Sequence, residues 1–208
     1  MVRKLAEAAK KPRGRPRAYN AETALRHARD VFWRRGYVGA SLDEISAAAG
    51  MNRPSLRAAF GDKHALYLKT LNAYWDLKAI RMGEALSGPG LEVALMRAYD
   101  GALATYFSGQ GRARGCFVVT TAITEAVEDA EIRRVVTAGF KMLDDSFERL
   151  FRSARDNGEL DQDTDPAALA QLATATMQSM AVRARAGAPR EDLRAFATKA
   201  VSVICGAR

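Results

Sequence analysis

From Ser41 to Phe60 the chain reads SLDEISAAAGMNRPSLRAAF, and its apolar positions recur at helical spacing in two short runs. In the first, Leu42, Ile45 and Ala49 share one face. Ser41 and Glu44 stand at capping-box spacing, which starts a helix at Ser41. Gly50, free to take a positive φ, stops it. Asn52 is a second N-cap, and Pro54 is tolerated in the next first turn because its missing N–H would find no partner there. At about 100° per residue, Leu56, Ala59 and Phe60 then turn inward, Pro54 and Ala58 outward, and Ser55 and Arg57 lie on the flanks. Two short helices across a tight glycine turn make a helix-turn-helix, whose second helix fits a DNA major groove; an ordinary helical hairpin with a solvated basic face is the alternative.

The same periodicity covers most of the remaining chain. Asn20 caps a first helix with Ala21, Ala24, Leu25, Ala28, Val31 and Phe32 inward, ended by Gly36. Asp62 caps a long fourth helix to about Ala85, with Leu66, Leu68, Leu71, Trp75, Leu77 and Ile80 as its apolar faces. A fifth helix is expected over about 91–108, a sixth from Cys116 to just before Asp129, and a seventh over about 130–157 with Val135, Phe140, Leu143, Phe147, Leu150 and Phe151 inward. Asp165 and Pro166 open an eighth, and 190–192 a ninth. No repeat and no sustained strand period is present, so the expected fold is all-α with about nine helices.

Composition adds one strong constraint. The chain has 208 residues, is 48% apolar and 27% charged, and has no run near the ~18 apolar residues of a membrane span. Residues 1–64 hold 14 Lys and Arg against 6 Asp and Glu, whereas residues 65–208 hold 18 against 18. The entire net charge of +8 therefore sits with the helix-turn-helix, which is the footprint of a polyanionic partner. A membrane surface would need an amphipathic or lipidated anchor, and neither is evident, so no membrane partner is expected. Residues 1–18 read as a flexible basic arm in which Arg13, Arg15 and Arg17 are placed to enter a minor groove, a solubilising tail being the alternative. The N-terminus lacks the apolar stretch of a secretory signal, and two cysteines, Cys116 and Cys205, suit a reducing cytoplasm.

Other chemistries fail on spacing. Asp161, Asp163 and Asp165 alternate like the start of a calcium loop, but Pro166 stands where glycine is required and Leu172 where the bidentate glutamate is required. His27 and His64 lack metal-ligand spacing, so no metal or cofactor is expected. No phosphate-cradling glycine loop and no nucleophile–base set can be assembled, so no enzyme is expected. Cys116, at an expected helix N-terminus near Arg112 and Arg114, is either a redox-active thiol or a small core residue.

GRPR at 14–17, ALRHARDVFWRRGY at 24–37, ASLDEISAAAGM at 40–51 and SLRAAFGDKHALY at 55–67 together resemble the DNA-binding domain of the TetR/AcrR family of transcriptional regulators. The resemblance implies an N-terminal three-helix DNA-binding domain (residues 19–64) joined by a long helix to a C-terminal helical domain (65–208) that dimerises and binds a small effector. It implies phosphate contacts from Ser41 and from Lys63 at the start of the fourth helix. It departs at Arg57, where the family usually has tyrosine beside the DNA backbone. The expected DNA-binding set is Arg13, Arg15, Arg17, Ser41, Asn52, Arg53, Pro54, Ser55, Arg57, Ala58, Lys63 and His64.

The expected protein is thus a repressor that binds palindromic double-stranded operator DNA as a homodimer and is released by a small, mainly apolar effector. Aromatic, methionine and hydroxyl positions give the expected effector lining: Trp75, Met96, Tyr99, Tyr106, Phe117, Thr121, Met142, Phe147 and Met177. Stripes on the last two helices give the expected dimer interface: Leu169, Leu172, Ala173, Thr176 and Met180 on one, Leu193, Phe196, Ala197, Ala200 and Ile204 on the other. The alternatives are a redox-sensing regulator using Cys116, a protein that coats nucleic acid without sequence preference and, for the two stripes, packing inside one subunit.

Overall fold

In the computed structural model, residues 20–109 and 111–206 are described, and the arm residues Arg13, Arg15 and Arg17 lie outside them. The described residues form nine α-helices and no strand: α1 Ala21–Gly39, α2 Leu42–Ala49, α3 Arg53–Phe60, α4 Lys63–Leu86, α5 Leu91–Tyr106, α6 Phe117–Thr121, α7 Ala130–Asp156, α8 Pro166–Arg185 and α9 Arg190–Ile204. None is long and apolar enough to cross a membrane.

The caps form where local chemistry places them. The side chains of Asn20, Ser41, Asn52, Asp62 and Asp165 each accept a backbone N–H at a helix start, which pairs donors that helical geometry leaves free. Asp165 is therefore a helix cap, as its sequence context implies. α1 does not end at Gly36. It breaks there (φ 74°, ψ 174°) and resumes to Gly39.

Two expectations are corrected. Leu77 and Ile80 are exposed rather than buried, since the inward stripe of α4 is Leu66, Tyr67, Leu71, Tyr74, Trp75, Lys78 and Met82. The sixth helix is five residues long, followed by a 3₁₀ turn at Glu125–Val127. Its continuation carries Ile123 and Val127, both exposed, so no burial supports a longer helix through this β-branched stretch.

α1, α4 and α6 meet in a continuous aromatic cluster. Trp33 packs on Tyr74 (5.6 Å between ring centroids) and on Phe117 (5.4 Å), and Tyr67 packs on Phe32 (4.9 Å) and Tyr37 (4.8 Å). The Trp33–Tyr74 and Tyr67–Phe32 pairs are edge-to-face and the other two tilted, and such contacts add to the burial of large apolar rings. The helix-turn-helix is thereby welded to the larger helical body, with no break in packing near residue 64. On the far side of α4, Trp75 lies flat against α7 at Gly139, where a Cβ would stand 1.9 Å from the indole.

Candidate nucleic-acid interface and effector cleft

The helix-turn-helix is set by its own sequence. Ser41 Oγ accepts the Glu44 N–H (3.1 Å), and Asn52 Oδ1 accepts the Ser55 N–H (2.8 Å). Between them Gly50 is left-handed (φ 64°, ψ 30°), and the N–H groups of Gly50 and Met51 return to Ala47 and Ser46. This reverse-capping pattern satisfies the last carbonyls of α2 and fixes the angle at which α3 leaves. Leu56 and Phe60 of α3 are buried with Ile45 of α2. Arg53, Pro54, Ser55, Arg57 and Ala58 are all exposed on its outer face, together with Ser41 and Asn52.

The cations around this face differ in their engagement. Arg53 is paired with Asp43 across the two helices. Glu44 is shared by Arg35 (3.1 Å) and Arg34 (3.7 Å). Arg57 has no carboxylate partner among the described residues. Lys63 Nζ donates to the Val38 carbonyl (3.2 Å) and stands 4.9 Å over the Tyr37 ring, at the edge of the recognition face. His64 is turned the other way. Its Nε2 is 2.7 Å from Asp129 Oδ2, and its ring lies 3.8 Å from Glu131, tying the starts of α4 and α7 together. Asp129 also accepts the Ile132 and Glu131 N–H groups, and these bonds with His64 hold its carboxyl below the usual range.

The nine expected effector residues are not gathered around one cavity. Tyr99, Tyr106, Phe117, Thr121, Phe147 and Met177 are fully packed core. The phenol groups of Tyr99 and Tyr106 donate to the Ala173 and Met177 carbonyls (both 3.2 Å), fastening α5 to α8. Thr121 accepts the Tyr67 hydroxyl at 2.7 Å. Met96 is half-buried beside Thr198 of α9. Trp75 and Met142 share a cleft of about 350 Å³ between α4 and α7. A larger cleft of about 460 Å³ opens instead between α1, α4 and α5, walled by Arg29, Trp33, Tyr74, Lys78, Arg81 and Thr105 among others. Arg29 and Lys78 were missed from the sequence. The signal for Lys78 is its register: it stands where an apolar residue belongs on the inward stripe of α4, between Tyr74 and Met82.

The expected dimer stripes divide. Ala173, Thr176, Met180, Leu193, Ala197 and Ile204 are buried within the subunit, where α8 and α9 pack on one another and on α5 and α7, and this corrects their assignment to an outer surface. Leu169, Leu172, Phe196 and Ala200 remain at least partly accessible, joined by exposed Val182 and Val203. Cys116 is buried, and its sulfur accepts the Tyr74 hydroxyl at 3.3 Å. Arg114, expected beside that thiol, points to Asp30 instead (2.8 Å).

This geometry defines a helix-turn-helix regulator with a helical body behind its DNA-reading unit. Residues 24–70 match the family described as bacterial regulatory proteins, tetR family, and residues 94–200 match the tetracyclin repressor-like C-terminal domain. The chain belongs to the TetR family of DNA-binding transcriptional regulators. It is 29% identical over 190 residues to the HTH-type transcriptional repressor ComR of Escherichia coli K12, covering 90% of each chain. It is 34% identical to the repressor BdcR of the same organism over 111 residues, 51% of this chain and 54% of that one. Among solved structures, a cysteine mutant of the TetR family regulator CifR with 26 bp double-strand operator DNA superposes with a TM-score of 0.81 at 32% identity, over 90% of this chain and 98% of that one.

Proposed function

We propose that this protein is a cytoplasmic repressor that binds a palindromic operator as a homodimer and leaves it when a small molecule occupies the helical body. Residues 19–64 read the DNA and residues 65–208 carry the effector and dimer surfaces. The observation that carries this is the doubly capped helix-turn-helix, which holds Arg53, Pro54, Ser55, Arg57 and Ala58 outward on α3 beside Lys63. Side chains of those lengths reach base edges and phosphates when such a helix lies in the major groove. The CifR complex holds operator DNA, which supports the same use of this fold here. Two subunits joined through the accessible parts of α8 and α9 would set their recognition helices one DNA turn apart, about 34–36 Å. An effector that favours another spacing shifts the population away from the bound state.

Recovery of genomic fragments bound by the purified protein, followed by competition against random duplexes, tests this. The expected result is a two-fold symmetric site preferred by about 10³-fold or more. Equal affinity for all duplexes would return the protein to a non-specific nucleic-acid binder.

A further inference from the structure

The cleft between α1, α4 and α5 contains an electrostatic imbalance. Lys78 is 9% exposed, yet its ammonium has no carboxylate partner among the described residues. Its one hydrogen-bond acceptor there is the thioether of Met177 at 3.3 Å, and it stands 5.9 Å over the Tyr106 ring. Arg29 enters the same cleft from α1, and its buried Nε has no partner. The neighbouring Asp30 carboxylate is already taken by Arg114. Arg81 adds a third cation at the rim, where it makes one long bond to Thr105 Oγ1 (3.4 Å). Among the described residues no carboxylate lines this cleft, whereas Glu22 lines the adjoining one. Burying a cation without an anion is costly, and a thioether is a weak acceptor. The missing element is a negative charge. Trp33, Tyr74 and Leu77 supply apolar wall, and Thr105 and Ser108 add hydroxyls.

We propose that this cleft binds a small organic carboxylate, its charge held between Arg29 and Lys78 and its apolar part against Trp33 and Leu77. The proposal rests on the effector-release reading above, narrows the effector to an anion and moves its seat to the junction of the helical body with α1. A carboxylate here draws together α1, which carries the helix-turn-helix, and α4, which leads away from it. Charge-assisted bonds are stronger than neutral ones, so the bound anion favours one placement of α1 relative to α4. Operator affinity responds through that placement. Burial lowers the Lys78 pKa, and an anion beside it would offset that shift.

The test titrates the full chain with butyrate, octanoate, benzoate and phenylacetate, and with the primary amide of each, following tryptophan fluorescence and calorimetry. At least one carboxylate should saturate below about 10 mM while its amide does not. Lys78→Met should weaken that carboxylate about ten-fold or more. Arg81→Gln, at the exposed rim, should weaken it less and guards against a folding defect at Lys78. Saturation by none of the four, equal binding of acid and amide, or full affinity in Lys78→Met would overturn the proposal. Operator binding is measured separately on the same samples. Carboxylate binding without change in operator affinity leaves the anion site standing and removes the release reading; loss of sequence-specific DNA binding in the untreated protein removes that reading independently of the cleft.

Discussion

The Arg114 guanidinium, on the segment between α5 and α6, lies 2.8 Å from the Asp30 carboxylate on α1. The same side chain covers the Trp33 ring at 4.8 Å, and its carbonyl accepts the Trp33 indole N–H at 3.2 Å. The helical body thus grips the DNA-reading unit by charge, stacking and backbone at one residue. Arg114→Ala and Asp30→Asn should each destabilise the fold, and the double mutant should show coupling of about 0.5–1 kcal/mol by urea unfolding. Strict additivity would mean that the pair is decorative. Operator affinity should fall in both single variants, because α1 loses a restraint on its orientation.

Lys63 should act on DNA through charge alone. Lys63→Ala is expected to weaken binding to all duplexes and flatten the slope of log affinity against log salt by about one unit. Arg57→Ala should differ: it should lower the preference for operator over random DNA, since Arg57 projects from the outer face of α3 with no carboxylate partner among the described residues. Salt titrations on both duplexes separate the two.

Gly139→Ala should destabilise the protein by about 1–3 kcal/mol. The added methyl would meet rigid indole carbon at 1.9 Å, so Trp75 must move away from α7. The checks are the melting temperature and a change in tryptophan emission. An unchanged melting temperature would show that Trp75 already samples another position.

Leu172→Glu and Phe196→Glu should dissociate the proposed dimer in light scattering at micromolar concentration. Leu172 is 46% exposed in the single chain, and Phe196 is half-buried beneath Arg183, whose guanidinium lies 5.4 Å over its ring. Ala197→Glu is the contrasting case, because Ala197 is wholly buried inside the subunit and should unfold it instead.

Lys78→Met should raise the melting temperature at neutral pH by a few degrees, since a buried charge is replaced by an apolar chain of similar length. The pH dependence has a fixed sign. Desolvation lowers the folded-state pKa of Lys78 below its unfolded value, so the cost is fully present below the folded pKa. As pH rises from there toward the ordinary lysine value, the unfolded chain binds more protons and the wild type recovers stability. The gap between the two proteins should therefore narrow with rising pH in that window. A gap constant across it would mean that Lys78 stays charged throughout.

The parts legible in the sequence are those fixed by neighbours a few residues apart. Ser41, Asn52, Asp62 and Asp165 cap the helices they were expected to cap, because an N-cap bond spans two or three residues. The outer face of α3 follows from helix angle alone. What failed depends on distant contacts. The run from Cys116 reads as a long helix, but it ends at Thr121 because nothing packs on Ile123 and Val127. α8 is apolar on several faces, so its small-residue stripe does not say whether it meets a sister helix or a partner. The aromatic and methionine residues of the body were recognisable as buried, but core and cavity share the same residue types. Lys78 was readable only by asking why a cation occupies an apolar register.

The break at Gly36 has a consequence for the DNA face. A Cβ there would meet no atom within 4 Å, so the restriction is one of backbone torsion and not of room. Its unusual angles swing the three residues to Gly39 out of line with α1 and aim the Val38 carbonyl at Lys63. Gly36 thus behaves as the pivot of a bracket. Replacing it with any L-residue would rotate the bracket, carry the Lys63 ammonium with it, and misplace the charge proposed to meet a phosphate. A position that touches no nucleic acid would then register as a DNA-binding mutant, with its helix-turn-helix intact.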